Sequence, residues 1–276
     1  MVQHDVSALQ ERHVPAIPDL LGETMDALPD RFTAIRAALQ STICTVQGVE
    51  AIEDALLTLA RHPEVLRLAP EAETWRDHLT AARDQDDMEE QEYALLELYR
   101  TLHTAGAGYT EDERRQLEEQ KGLHGLSGGL MPLLMAKELI TPETRMADLG
   151  AGNGLQGILL HCLAPHRHTL QVELSRGHLD VGRLFQRVLG IPDNRITWLH
   201  GDLFTADLSK VTLVYLYRPV RPSETTLPLY KKLAATLQAI GHPIHLVSVA
   251  DCLTPHLVPP MKSLYDDGFL TISATG

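Results

Sequence analysis

Asp148-Leu149-Gly150-Ala151-Gly152-Asn153-Gly154 decides how the rest of this chain is read. A short apolar run, Arg145-Met146-Ala147, precedes it, and a helix-like run, Leu155-Gln156-Gly157-Ile158-Leu159-Leu160, follows. The order is strand, glycine turn, helix. A turn without Cβ atoms lets a ligand lie against bare backbone near a helix N-terminus. An acid at the end of the strand suits a ligand bearing hydroxyls or a positive charge. A P-loop is excluded, because no Gly-Lys-Ser or Gly-Lys-Thr follows. A dinucleotide fingerprint would need its third glycine where Leu155 stands, whereas here it comes early, at Gly154.

Three further segments extend the pattern. Thr169-Leu170-Gln171-Val172-Glu173-Leu174 is a β-like run containing an acid, Glu173, one helix and one strand beyond Asp148. Arg195-Ile196-Thr197-Trp198-Leu199-His200-Gly201-Asp202-Leu203-Phe204 reads as a third strand and its loop. Val211-Thr212-Leu213-Val214-Tyr215-Leu216-Tyr217 is a continuous apolar run suited to a buried parallel strand. Helix-sized connections separate them, the signature of a doubly wound sheet. A helix near 225–240 and a strand at Pro243-Ile244-His245-Leu246-Val247-Ser248-Val249 continue it. Lys262-Ser263-Leu264-Tyr265 and Phe269-Leu270-Thr271-Ile272-Ser273, flanking Asp266-Asp267-Gly268, then predict a closing hairpin.

Over residues 126–276 this arrangement resembles the class I S-adenosylmethionine-dependent methyltransferases, whose motif I has the D-x-G-x-G-x-G spelling. The resemblance implies an α/β fold: a doubly wound seven-stranded sheet ending in an antiparallel hairpin, here behind an all-α N-terminal domain. It implies S-adenosylmethionine as cofactor and S-adenosylhomocysteine as product. Asp148, Gly150, Gly152 and Gly154 would form the binding turn, Glu173 would grip the ribose hydroxyls, and Asp202, with Leu203 and Phe204, would meet the adenine. The glycine-dense stretch Lys121-Gly122-Leu123-His124-Gly125-Leu126-Ser127-Gly128-Gly129 matches loops that lie over the methionine end in related enzymes, which makes Gly128 and Gly129 cofactor candidates. Asp202 as a helix cap and Glu173 as a plain strand end are the simpler readings of the same residues.

Beyond the fourth strand the chain reads Tyr217-Arg218-Pro219-Val220-Arg221-Pro222. The Asn-Pro-Pro-Tyr type of amino-group nucleic-acid methyltransferases, the Pro-Cys of cytosine C5 enzymes and the carboxylate cluster of catechol enzymes are all absent. Arg218 and Arg221 are candidates for a substrate carboxylate or phosphate, and surface arginines between prolines are the alternative. Tyr217, His124 and Tyr109 are the candidates for proton handling. The histidines at 161, 166 and 168 have no metal-site spacing, so no metal is expected.

Of the 276 residues, 1–122 carry 25 acids against 11 bases, while the remainder is almost neutral. Nucleic acid is disfavoured as a partner by this balance. Three scattered cysteines and no membrane-length apolar run point to a cytoplasmic protein outside the membrane. Residues 1–122 read as a helical domain, with stripes at Phe32, Ile35, Leu39 and Ile43, then Ile52, Leu56, Leu57 and Leu59. A third helix from Pro70 carries Trp75 and Leu79, and a fourth from Asp87 to His103 carries Tyr93, Leu96, Tyr99 and Leu102. Thr110 and Glu113 form a capping-box pair. These helices serve as a lid, as substrate recognition or as a homodimer interface, and 123–276 is the catalytic domain. A small-molecule methyl acceptor is the leading expectation. A protein methyltransferase and a non-catalytic S-adenosylmethionine-binding module are the alternatives.

Overall fold

The computed structural model describes residues 48–106, 110–119, 129–220 and 222–275. The stripe at Phe32–Ile43 and the candidates Tyr109, His124, Gly128 and Arg221 lie outside the described residues. Helix α1 (Val49–Leu59) buries Ile52, Leu56 and Leu59 along one stripe. The short α2 (Pro63–Leu68) starts at a first-turn proline under the His62 ring, which accepts from the Glu64 amide. Helix α3 (Glu71–Asp84) follows, then α4 (Met88–His103), whose Asp87 cap accepts from the Glu90 amide at 3.2 Å. Helix α5 (Glu111–Glu119) has the expected capping box. The Glu113 amide donates to Thr110 Oγ1 at 3.3 Å and the Thr110 amide to Glu113 Oε2 at 2.8 Å.

After α6 (Met131–Lys137) the chain alternates through β1 (Arg145–Leu149), α7 (Leu155–Leu163), β2 (His168–Glu173), α8 (Arg176–Val188), β3 (Ile196–His200), β4 (Leu213–Tyr217), α9 (Leu227–Gln238) and β5 (His245–Val249). Strands β6 (Lys262–Asp266) and β7 (Leu270–Ala274) form the predicted hairpin. The seven strands stand in the order β3-β2-β1-β4-β5-β7-β6. The first five are parallel, and β7 runs antiparallel between β5 and β6. This is the expected doubly wound sheet. Its order reverses between β1 and β4, and the crevice outside the carboxyl ends of strands at such a point is where ligands bind.

Two apolar clusters cover the sheet. One joins the helical bundle to α6, α7, α8 and one sheet face, and includes Ile52, Tyr99, Phe185 and Tyr215. The other lies under α9, with Val214, Leu216, Tyr230 and Leu246. The β3–β4 connection departs from expectation. It contains only a 3-10 turn, Leu203–Thr205, and no full helix. Two side chains intercept the backbone there: Asp202 Oδ1 accepts from the Phe204 amide and Asp207 Oδ1 from the Ser209 amide, each at 2.9 Å. The sheet face beside it is left partly uncovered, with a cavity of about 380 Å³ lined in part by Arg145, His168, Leu170, Thr197, Leu199 and Lys210. Among the described residues no helix is long and apolar enough to cross a membrane. Cys162 and Cys252 are free thiols.

Candidate functional site

The glycine turn joins β1 to α7. Its amides are mostly occupied from within the protein: Gly150 and Ala151 both donate to the Val172 carbonyl at 2.9 Å, Gly152 to Glu173 Oε2 at 2.8 Å, and Gly154 to the Ala151 carbonyl at 2.8 Å. The turn therefore offers a ligand uncluttered Cα atoms and carboxylates, and few open amides. At Gly152, φ is +58° and an added Cβ would meet nothing within 4 Å among the described residues, so that face is open to them. Gly154 is glycine for a second reason besides its φ of +70°. A Cβ there would sit 2.5 Å from the Trp198 indole, which α7 and α8 clamp against the sheet. Trp198 Nε1 donates to Gln186 Oε1 at 2.6 Å, and so holds the ring in place.

Asp148 and Glu173 end neighbouring strands and are 3% and 7% exposed. Glu173 accepts from Gly152 through one oxygen and from the Ser175 amide, at 2.9 Å, through the other. Asp148 Oδ2 is buried with no hydrogen-bond partner among the described residues. Burial first, then the Glu173 charge, push its pKa from 3.8 up to about 7, against a smaller downward pull from the Gly157 amide. A buried acceptor left in this state calls for a ligand that donates hydrogen bonds or carries positive charge.

The end of β4 lies beside the turn. Leu149 pairs with Leu216, and a Cβ on Gly150 would come 3.5 Å from Pro219. Tyr215 and Tyr217 alternate with Leu216, so both face the same side as Asp148. Tyr215 is fully buried, and burial, then Tyr99, Asp148 and Tyr217, hold its phenol well above the usual range. The half-buried Tyr217 is also raised, by burial against a smaller opposing effect from Arg218. Arg218 extends to the other side, near Tyr230 and Cys252. Its Nε is buried and unpartnered, and among the described residues no carboxylate bridges it.

The remaining candidates are more scattered. Asp202 caps the 3-10 turn, and Phe204 packs at the edge of the second cluster with Lys232 Nζ 4.0 Å from its ring centroid. Leu203 packs against the same cluster. Gly129 stands just before α6 with φ +77° and nothing within 4 Å of its Cβ position among the described residues. His161 and His166 make an edge-on pair, with burial lowering both, His161 to about 4. Among the described residues no group of three or more His, Cys, Asp or Glu can hold a metal ion. Sequence reasoning missed Asn153, a polar side chain 1% exposed inside the turn, and Trp198. An amide residue among glycines was the available signal for the first. For Trp198 there was none beyond its place in a strand.

No protein-family profile matches the chain, and no curated protein matches it. Solved structures resemble part of it. An RNA methyltransferase from Salinibacter ruber in complex with S-adenosyl-L-homocysteine is 23% identical, with 52% of this chain and 88% of that one covered and a TM-score of 0.41. TrmN from Thermus thermophilus is 18% identical, over 56% and 51%, at 0.41. A geranyl diphosphate C-methyltransferase from Streptomyces coelicolor A3(2) is 17% identical, over 59% and 49%, at 0.35. The matched region spans about half the length of the last two.

Proposed function

We propose that this chain is an S-adenosylmethionine-dependent methyltransferase acting on a small molecule. The observation that carries the reading is the pair Asp148 and Glu173 at the switch point, beside a turn whose amides are already occupied. A dinucleotide pyrophosphate or a nucleotide phosphate needs free amides and is repelled by two buried acids. A neutral ribose diol fits them, and so do the ammonium and positive sulfur of a zwitterionic amino acid tail whose carboxylate points away. The unpartnered Asp148 Oδ2 and the open Gly152 face support that fit. When bound, S-adenosylmethionine supplies a methyl group already activated by its positive sulfur. In this reading Glu173 accepts from the ribose hydroxyls with the lone pairs its amide partners leave free. Asp148 balances positive charge, and the turn excludes water from one side.

The acceptor meets the carboxyl end of β4. Tyr217 lines it on the Asp148 side, and Arg218, on the other side of the strand by Tyr230 and Cys252, would hold an anionic group of the acceptor that reaches past the strand end. The raised Tyr217 phenol is protonated at neutral pH and so donates a hydrogen bond rather than removing a proton. Alignment is then the main contribution of the protein. The β5–β6 connection contributes only a short 3-10 turn, Thr254–His256, and supplies no substrate domain. Together with the acidity of 1–122, this supports a small acceptor over a nucleic acid. Calorimetry with S-adenosylmethionine and S-adenosylhomocysteine tests the reading. Micromolar binding that is lost in both Asp148→Ala and Glu173→Ala is expected. No binding of either ligand at millimolar concentration would sink it.

A further inference from the structure

Glu173 lies between two attachments to the N-terminal helices, one at the end of α4 and one on α5. Its two oxygens accept from the amides of Gly152 and Ser175, and the residue following each of those amides is tied to one of these helices. Asn153 Nδ2 donates to the carbonyl oxygens of Leu102 at 2.8 Å and Ala105 at 3.3 Å, where α4 ends, while its Oδ1 accepts from the Leu155 amide at 3.3 Å. Arg176, the first residue of α8, donates its amide to Glu113 Oε1 at 2.9 Å. Between the ties, an added Cβ on Gly106 would stand 3.2 Å from the His178 ring and 3.5 Å from Val181, so the chain leaving α4 lies close against α8.

Both ties fall at helix ends. The last carbonyls of a helix and the first amides of a helix lack partners within it. Asn153 adds a donor at the end of α4, where the Leu102 carbonyl also accepts from the Ala105 amide at 3.2 Å, and Glu113 meets the first amide of α8, where a negative charge is also favoured. Burial pushes the Glu113 carboxyl up, but the Thr110 and Arg176 amides outweigh it and leave the group below its usual range.

We propose that α4 and α5 are part of the donor site, with Asn153 and Glu113 as positioning residues that aim the Glu173 carboxylate at the ribose diol. The proposal rests on the donor reading above. A carboxylate with two lone pairs taken by amides keeps two others, and their direction follows from where those amides stand. The end of α4 holds the neighbour of the first amide, and α5 holds that of the second. Helices read from sequence as serving the methyl acceptor or a dimer would thus also serve the methyl donor.

The test uses the full chain and calorimetry with S-adenosylhomocysteine and its 2′-deoxyribose analogue. Wild type should bind the analogue about tenfold more weakly. Asn153→Ala and Glu113→Ala should each bind S-adenosylhomocysteine about tenfold more weakly, with the preference over the analogue reduced toward one, because an aimed hydrogen bond has been lost. Unchanged affinity in both variants overturns the proposal. So does weakened affinity with the preference intact, which is what a merely structural role would give. If Asn153→Ala does not fold, the partly exposed Glu113→Ala carries the same comparison. A wild type that binds neither ligand refutes the donor reading itself, a result distinct from these.

Discussion

Replacing Asp148 by asparagine should stabilise the ligand-free protein while weakening its ligand binding. The aspartate is 3% exposed, and its pKa stands at about 7 against an ordinary 3.8. The folded state therefore holds a proton that the unfolded chain releases between those values. Stability contributed at this position is full below 3.8, falls as pH rises toward 7, and stays low above it. At 1.36 kcal/mol per pH unit, the full penalty is about 4 kcal/mol. At pH 5 roughly 2 kcal/mol of it has developed. Asparagine has nearly the same shape and no charge, so its advantage over wild type should be about 4 kcal/mol at pH 8, roughly 8 °C in Tm, and under about 2 kcal/mol at pH 5. Urea denaturation followed by tryptophan fluorescence gives both numbers. The difference between variant and wild type is the quantity to use, because buried histidines drive wild-type stability the opposite way across the same range. Saturating S-adenosylhomocysteine should raise the wild-type Tm much more than that of the variant. A gap that is absent at pH 8, or constant from pH 5 to 8, would refute buried charge as the cause.

Gly182→Ala should destabilise by about 3 kcal/mol in the same assay, since its Cβ would stand 2.3 Å from the Trp198 ring and 2.6 Å from the Asn153 carbonyl oxygen; a loss under 1 kcal/mol would mean that α8 can shift freely. Arg218→Ala should raise the acceptor KM more than tenfold, with the Kd for S-adenosylhomocysteine unchanged, and an equal loss for both ligands would place Arg218 outside the acceptor role. His161, held neutral by burial with a pKa of about 4, contributes stability above pH 6.5 that is lost as pH falls toward 4. His161→Phe should therefore lose less stability than wild type between pH 7 and pH 5, and parallel losses would show that the ring is already solvated.

The sheet was readable because apolar runs, acids and glycines mark its strands locally. Val211-Thr212-Leu213-Val214-Tyr215-Leu216-Tyr217 contains β4, and Asp266-Asp267-Gly268 sits at the hairpin turn. Helix α2 was missed because its six residues bury only Val65, too little to show a period. The β3–β4 connection is long enough for a helix, yet two aspartate side chains divert its backbone, a competition that spacing alone does not reveal. Glu113 was visible as a cap for its own helix. Its second bond, to Arg176, joins positions 63 apart, and Asn153 meets Leu102 across 51 positions. Such pairings depend on how two packed layers meet, which no local pattern records. Gly154 was legible as a turn residue, but the indole pressed against it was not.

The place of β7 has a consequence for how the chain can be made. It pairs with β5 from Val249↔Leu270 to His245↔Ala274, so the last parallel strand gets its outer partner from the segment synthesised after β6. A product terminated before Leu270 would keep the glycine turn and both acids while presenting β5 as a bare edge. Its unpaired amides and carbonyls, flanked by Leu246, Val247 and Val249, would be a template for strand exchange between molecules. Fragments of this protein that retain every residue of the ligand turn should therefore be the ones most prone to aggregate.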